Sequence, residues 1–190
     1  MALRGGQRWG SVLALAVMLA CVPGVSWADE PAVKLSRAVS RDTLFGRKPI
    51  AFADAFSQRK KTALVLNFFA ADCGPCRAEL PEIAELAAQP GVELWIVAIS
   101  RPQNERDPSC GGQGELQTIF EREAPGLKDR VLFDDCGNLL KKLSPGSAQA
   151  LPVTFLFGEK LEAVQVQRGR APEGSTLLKV FGGALGRMRK

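Results

Sequence analysis

The chain has 190 residues, 46% hydrophobic and 24% charged, a length that suits one domain with a substantial core and is short for two. This ordinary composition, without low-complexity tracts or internal repeats, excludes a disordered or fibrous polypeptide. The formal charge of +5 comes without a basic cluster interleaved with aromatics, so no nucleic-acid partner is expected. The absence of histidine excludes hydrolases that rely on an imidazole base.

Residues 1–28 read as an export signal. Arg4 and Arg8 form a basic start, and residues 11–22 are uncharged and mostly apolar. Pro23 and Gly24 break any helix, and Ser26-Trp27-Ala28 puts small residues where a signal peptidase reads. Cleavage after Ala28 leaves a mature domain at 29–190, with its core at about 45–185. An uncleaved anchor fits less well, because the apolar stretch is shorter than the roughly 20 residues that cross a bilayer. Lipidation at Cys21 is a second rival, with Met18-Leu19-Ala20 a poor preceding triplet for it. Removing Arg4 and Arg8 takes the 25 basic residues to 23 against 20 acidic, a net +3. Four cysteines remain, Cys73, Cys76, Cys110 and Cys136, an even number in a compartment where disulfides persist.

In the mature chain, residues 29–47 read as irregular or weakly paired. Residues 50–56 have the spacing of a short amphipathic helix, and Arg59-Lys60-Lys61 read as basic residues closing a helix end before a strand. Residues 63–70 (ALVLNFFA) are a continuous apolar run, the pattern of a buried parallel strand. Residues 76–88 read as a helix with Ala78, Ile83, Leu86 and Ala87 on one face, and Pro81 predicts a kink. Residues 92–100 (VELWIVAIS) are a second buried strand after the Pro90-Gly91 turn. Residues 101–114 are polar and rich in Pro and Gly, so a loop is expected there, holding Cys110. A helix at 115–122, a strand at 131–134, a turn at Cys136 and Gly137 and a helix at 138–143 follow. A hairpin of 153–157 with 163–167 and an amphipathic helix at 176–188 complete the chain. The order implies an α/β fold, a central mixed sheet flanked by helices on both faces.

Cys73-Gly74-Pro75-Cys76 lies where the first strand runs into the helix. Two cysteines at this spacing close a disulfide only in a tight turn. A helix N-terminus there presents unpaired N–H groups and the positive end of the dipole, both of which stabilise a thiolate. Cys73 is therefore the expected attacking sulfur and Cys76 the resolving one. Pro75 stiffens the turn and Gly74 leaves the approach open. A zinc site would ordinarily use two close cysteine pairs, whereas Cys110 and Cys136 are 26 residues apart. No metal and no cofactor are expected.

The run 67–81 (NFFAADCGPCRAELP) resembles the active site of the thioredoxin superfamily, nearest to the exported bacterial TlpA/ResA-like thiol–disulfide reductases. The resemblance spans roughly 45–185 and implies a thioredoxin-like fold. Leu151-Pro152-Val153-Thr154-Phe155-Leu156 is similar to that family's cis-proline loop. It implies a cis Pro152 beside the disulfide and a Leu151 backbone that docks extended substrate. Gly169 is similar to the glycine that lets a neighbouring loop approach. Asn67 stands where cytosolic thioredoxins carry a buried aspartate. Glu79 matches the glutamate of the ResA-like branch and is expected to take the Cys76 proton or tune its release; the alternative is a surface glutamate of the first helical turn. Asp72 departs from the family, which usually has tryptophan there; its carboxylate opposes thiolate formation at Cys73.

Cys110 and Cys136 follow two strands expected to be parallel neighbours, so a structural disulfide at one sheet edge is favoured over a second redox pair. A periplasmic monomer is expected, and the resemblance implies that it reduces protein disulfides, apocytochrome c among them, with electrons from a membrane thiol transporter. A disulfide oxidase or isomerase and a non-catalytic binding module are the alternatives.

Overall fold

A computed structural model describes residues 33–36, 40–46, 49–52, 54, 61–102, 110–145 and 150–189. The expected export signal, Cys21, Arg59 and Lys60 lie outside the described residues. Among those described, no helix is long and apolar enough to cross a membrane.

Strands β1 (Ser40–Thr43) and β2 (Pro49–Ala51) pair antiparallel, with Arg41 opposite Ile50. This corrects the expected helix over 50–56, since helical conformation starts only at Phe52. The open edge of β1 supplies backbone partners that a short helix would lack at its ends. Strand β1 is the weak pairing expected within 29–47. The run Ser-Arg-Asp-Thr has no apolar alternation to read, because its place in the sheet rests on backbone pairing.

Strand β3 (Ala63–Ala70) leads into helix α1 (Gly74–Ala87) and then β4 (Val92–Ile99). Both strands are buried along their whole length, as strands covered on two faces must be. Helix α1 begins two residues before the expected start and includes Pro81 without interruption. The expected loop 101–114 is partly ordered pairing. Strands β5 (Arg101–Pro102) and β6 (Cys110–Gly111) form a small antiparallel sheet, and α2 (Gln113–Glu123) already covers Gly114. A 3-10 turn at Pro125–Arg130 precedes β7 (Val131–Asp134); a second at Asp135–Gly137 precedes α3 (Asn138–Leu143). Strands β8 (Val153–Phe157) and β9 (Ala163–Arg168) form the hairpin, and α4 (Leu177–Met188) follows, with Thr176 accepting a hydrogen bond from the Lys179 N–H.

The main sheet runs β2-β1-β7-β4-β3-β8-β9. Strands β3, β4 and β7 are parallel to one another, and the flanking pairs are antiparallel. One face packs Val65, Phe69, Leu94 and Ile96 against Ile83 and Leu86 of α1, Phe120 of α2 and Phe181 of α4. The other packs Leu64, Leu66, Phe68 and Trp95 against Leu139, Leu140 and Leu143 of α3, together with Phe52 and Leu35. The sheet is therefore mixed and flanked by helices on both faces. Register sets Ala70 beside Ile99 and Ile99 beside Asp134, so the three parallel strands end together at one edge.

Asp134 organises the last of these strand ends. Its buried carboxylate accepts the Leu139 N–H at 2.9 Å, the Leu140 N–H at 3.4 Å and the Arg41 Nε–H at 3.1 Å. This satisfies donors that the start of α3 would otherwise leave unpaired.

Phe155 sits at the centre of the second face, fully buried, edge-on to Phe68 and stacked on Phe157. Phe155→Ala is expected to cost about 3–5 kcal/mol, read as the loss of unfolding free energy in urea.

Candidate active site

The turn between β3 and α1 builds the site from its backbone. Cys73 has extended geometry (φ −92°, ψ 92°) and is the N-cap of α1. Its sulfur accepts the Cys76 N–H at 3.2 Å, one of the donors a helix start leaves unpaired. Pro75 lies in the first turn, where its missing N–H costs nothing. Cys73 and Cys76 form a disulfide with Cα atoms 5.2 Å apart. Cys73 keeps 8% of its surface and Cys76 none, so an incoming partner meets Cys73. Asp72, Gly74 and Pro75 are exposed around it, and the space where a Gly74 side chain would stand is empty within 4 Å.

Glu79 is one helical turn beyond Cys76, and i,i+3 residues share a helix face. It is buried, with 1% of its surface exposed, which excludes the surface-glutamate reading. Its Oε2 accepts from Asn67 Nδ2 at 3.4 Å, and the same amide donates to Thr154 Oγ1 at 2.8 Å. Burial raises the Glu79 carboxyl to about 7, and the charge of Glu82 adds to the rise. The Asn67 and Ala171 hydrogen bonds and the charge of Arg170 act in the opposite direction. A carboxyl held there can exchange a proton at neutral pH, which an ordinary glutamate does poorly.

The second wall comes from the other end of the chain. Val153 of β8 pairs with Phe68 of β3, so Pro152 and Leu151 lie beside the last residues of β3. The Leu151–Pro152 peptide is cis. The Gly169 N–H donates to the Pro152 carbonyl at 2.8 Å, tying the end of β9 to this loop. Gly169 has φ +72°, yet a Cβ there would meet nothing within 4 Å; the glycine serves the left-handed turn, not close packing.

Three contributors were given no role of their own by the sequence. Thr154 joins the Asn67–Glu79 network. Gln167 Nε2 donates to the Arg168 and Arg170 carbonyls, each at 3.1 Å, and steadies the loop that carries Gly169. The Glu82 carboxylate accepts the Leu177 N–H at 2.8 Å and ties α1 to α4. Thr154 had a readable signal, a polar residue within an apolar strand; Gln167 and Glu82 had none, since their partners are backbone groups set by the fold.

Cys110 and Cys136 form a second disulfide with Cα atoms 5.4 Å apart. It ties β6 to the turn after β7, on the same sheet edge.

Glu79 gives the protein a pH signature. In the folded state it holds its proton to about pH 7, and in the unfolded chain it releases it near 4.5. The folded state therefore binds more protons between these values, and the Glu79 contribution to stability falls as pH rises through that window, then levels off. Glu79→Gln removes this contribution. The unfolding free energy of the variant minus that of wild type is expected to grow from pH 4.5 to 7 and stay constant above; a pH-independent difference would contradict the buried-acid assignment.

No family model matches the chain, and no curated protein sequence matches it. Solved structures do share its fold. A secreted thiol-disulfide isomerase from Corynebacterium glutamicum is 19% identical over 87% of this chain and 96% of that one, with a TM-score of 0.59. A thioredoxin-family thiol:disulfide interchange protein from Chlorobium tepidum is 18% identical over 85% and 98%, TM-score 0.55. A secreted Mycobacterium tuberculosis disulfide oxidoreductase is 17% identical over 78% and 95%, TM-score 0.54. At these identities the likeness carries the architecture: the chain has a thioredoxin-like fold, the fold of these thiol–disulfide oxidoreductases.

Proposed function

We propose that the protein carries out dithiol–disulfide exchange on protein substrates through Cys73 and Cys76, working as a reductase. The observation that carries this reading is the Cys73–Cys76 disulfide at the N-terminus of α1, where Cys73 keeps 8% of its surface and Cys76 none. In the reduced protein the Cys73 thiolate attacks a substrate disulfide, forming a mixed disulfide and releasing one substrate thiolate. The Cys76 thiolate then attacks Cys73 Sγ, which closes the Cys73–Cys76 bond and frees the second substrate sulfur. Two electrons pass to the substrate. Glu79 takes the Cys76 proton before the second step. Leu151 and Pro152 receive the extended substrate backbone beside Cys73, with Gly74 and Pro75 forming the opposite rim.

The export signal read in the sequence of residues 1–28 supports this reading, since a protein sent to the periplasm would meet persistent substrate disulfides. Secreted forms among the structures that share the fold support it too. Oxidised envelope proteins, apocytochrome c among them, are the proposed substrates. A membrane dithiol transporter resupplies electrons, and the protein acts as a monomer.

Insulin reduction in the presence of dithiothreitol tests catalysis. Wild type should accelerate it and Cys73→Ser should fall to background, whereas activity in that variant would sink the assignment. Cys76→Ser should accumulate a substrate mixed disulfide, and Glu79→Gln should slow the second step by about 10²-fold at neutral pH. A wild type that fails to accelerate the reaction would point to a binding module. Equilibration with thiol buffers tests direction. A potential near that of thioredoxin, about −270 mV, is expected, and one near the strong oxidant at about −120 mV would make the protein an oxidase. The mature protein isolated from an exporting host should begin at Asp29; a lipid-modified Cys21 would replace the soluble form with an anchored one.

A further inference from the structure

We propose that Cys110 and Cys136, once their disulfide is reduced, form with Asp135 a three-donor site for a borderline-soft divalent cation of the zinc class. The two sulfurs and a carboxylate oxygen of Asp135 all lie within 4.8 Å of one another. Consecutive residues of a strand point to opposite faces. Here β7 has ended, and Cys136 (φ 54°) and Gly137 (φ 63°) turn left-handed, so neighbours 135 and 136 reach one point. The third donor arrives from β6, 26 residues earlier.

The geometry fits such an ion. Zinc–sulfur bonds of about 2.3 Å and zinc–oxygen bonds of about 2.0–2.2 Å put tetrahedral donors about 3.5–3.8 Å apart. Sulfurs released from a disulfide reach that separation by side-chain rotation, without moving Cα atoms 5.4 Å apart. The carboxylate is already oriented. Ser100 Oγ donates to Asp135 Oδ1 at 2.9 Å and accepts the Cys136 N–H at 3.0 Å. Such outer partners hold ligands in place at metal sites. Cys110 and Cys136 are half-buried and Asp135 is exposed, which leaves an open side for water or an exchanging ligand.

Electrostatics point the same way. A carboxylate oxygen gathered with two sulfurs offers a divalent cation the negative charge that its binding requires. Arg41 and Lys142 line the adjoining cavity with Asp135. Arg41 is engaged by Asp134 at 3.1 Å, and Lys142 is exposed, where water weakens its repulsion.

The steps balance. A dithiol reductant gives two electrons and two protons to the Cys110–Cys136 bond, leaving two thiols here and a disulfide in the reductant. The cation then replaces the two thiol protons. Bound thiolates are withheld from re-oxidation, so metal and disulfide are mutually exclusive states of one site. This does not depend on the Cys73–Cys76 chemistry.

The test uses the full chain with Cys73→Ser and Cys76→Ser, so that the other pair is silent. Anaerobically reduced protein, freed of reductant, is titrated with Zn²⁺ against a chromophoric chelator and with Co²⁺ for its thiolate charge-transfer absorption. One metal per chain is expected in the reduced state and none in the oxidised state. Cys110→Ser should abolish the cobalt band, and Asp135→Asn should weaken binding at least about tenfold. Asp135→Asn touches neither sulfur and decides the matter if Cys110→Ser fails to fold. No metal in the reduced protein, equal binding by the oxidised protein, or unchanged affinity in Asp135→Asn would each overturn the proposal.

Discussion

Strands β3 and β4 are held in one register from Ala63 beside Val92 to Ala70 beside Ile99, and β7 continues it with Ile99 beside Asp134. Strand ends in such a sheet share one edge, and there the chain must turn back over a face. The turn at the end of β3 carries Cys73 and leads to Cys76 in the first turn of α1, the one after β4 carries Ser100, and the one after β7 carries Asp135 and Cys136. A one-residue slip would invert every side chain of a strand. The apolar contacts of both faces therefore hold the register, and the register places the reactive groups.

Burial of polar groups under that edge is the costly part of the design. Asn67, Thr154 and Glu79 are sealed inside an otherwise apolar sheet and helix contact, where an unpaired polar atom costs more than its hydrogen bond would gain. The Asn67 amide bridges the other two, and among the described residues Glu79 Oε1 and Asn67 Oδ1 meet no geometric hydrogen-bond partner. A buried carboxyl in this setting favours its protonated form. The same burial that weakens the fold at high pH makes Glu79 able to exchange a proton near neutrality.

The two disulfides act on different scales. Cys73–Cys76 closes a single helical turn, so it restricts the unfolded chain little and its reactivity is set by the helix start. Cys110–Cys136 closes a loop of 26 residues, for which the chain-entropy account gives about 3.5 kcal/mol. It ties a two-stranded hairpin of irregular sequence to the main sheet, with Ser100 hydrogen-bonded to both neighbours of the turn.

The sequence by itself determined the elements whose information is local. The mostly apolar runs of β3 and β4, rich in β-branched and aromatic residues, read as strands covered on two faces, and the Cys73–Cys76 spacing requires a tight turn at a helix start. Strands β7 and β8 and helix α3 were legible to the residue for the same reason, since apolar periodicity is a short-range property. Tertiary structure decided what depends on a distant partner. Strand β2 reads as a helix until the edge of β1 takes its hydrogen bonds, and β5–β6 reads as loop until Pro102 and Cys110 pair. Glu79 could be surface or interior from its position in α1; Asn67 of β3 and Ala171, in the segment after β9, make it interior. Asp135 carries no local signal at all. It meets Cys110 because parallel strands that end together gather residues from separate loops, and spacing along the chain does not encode that meeting.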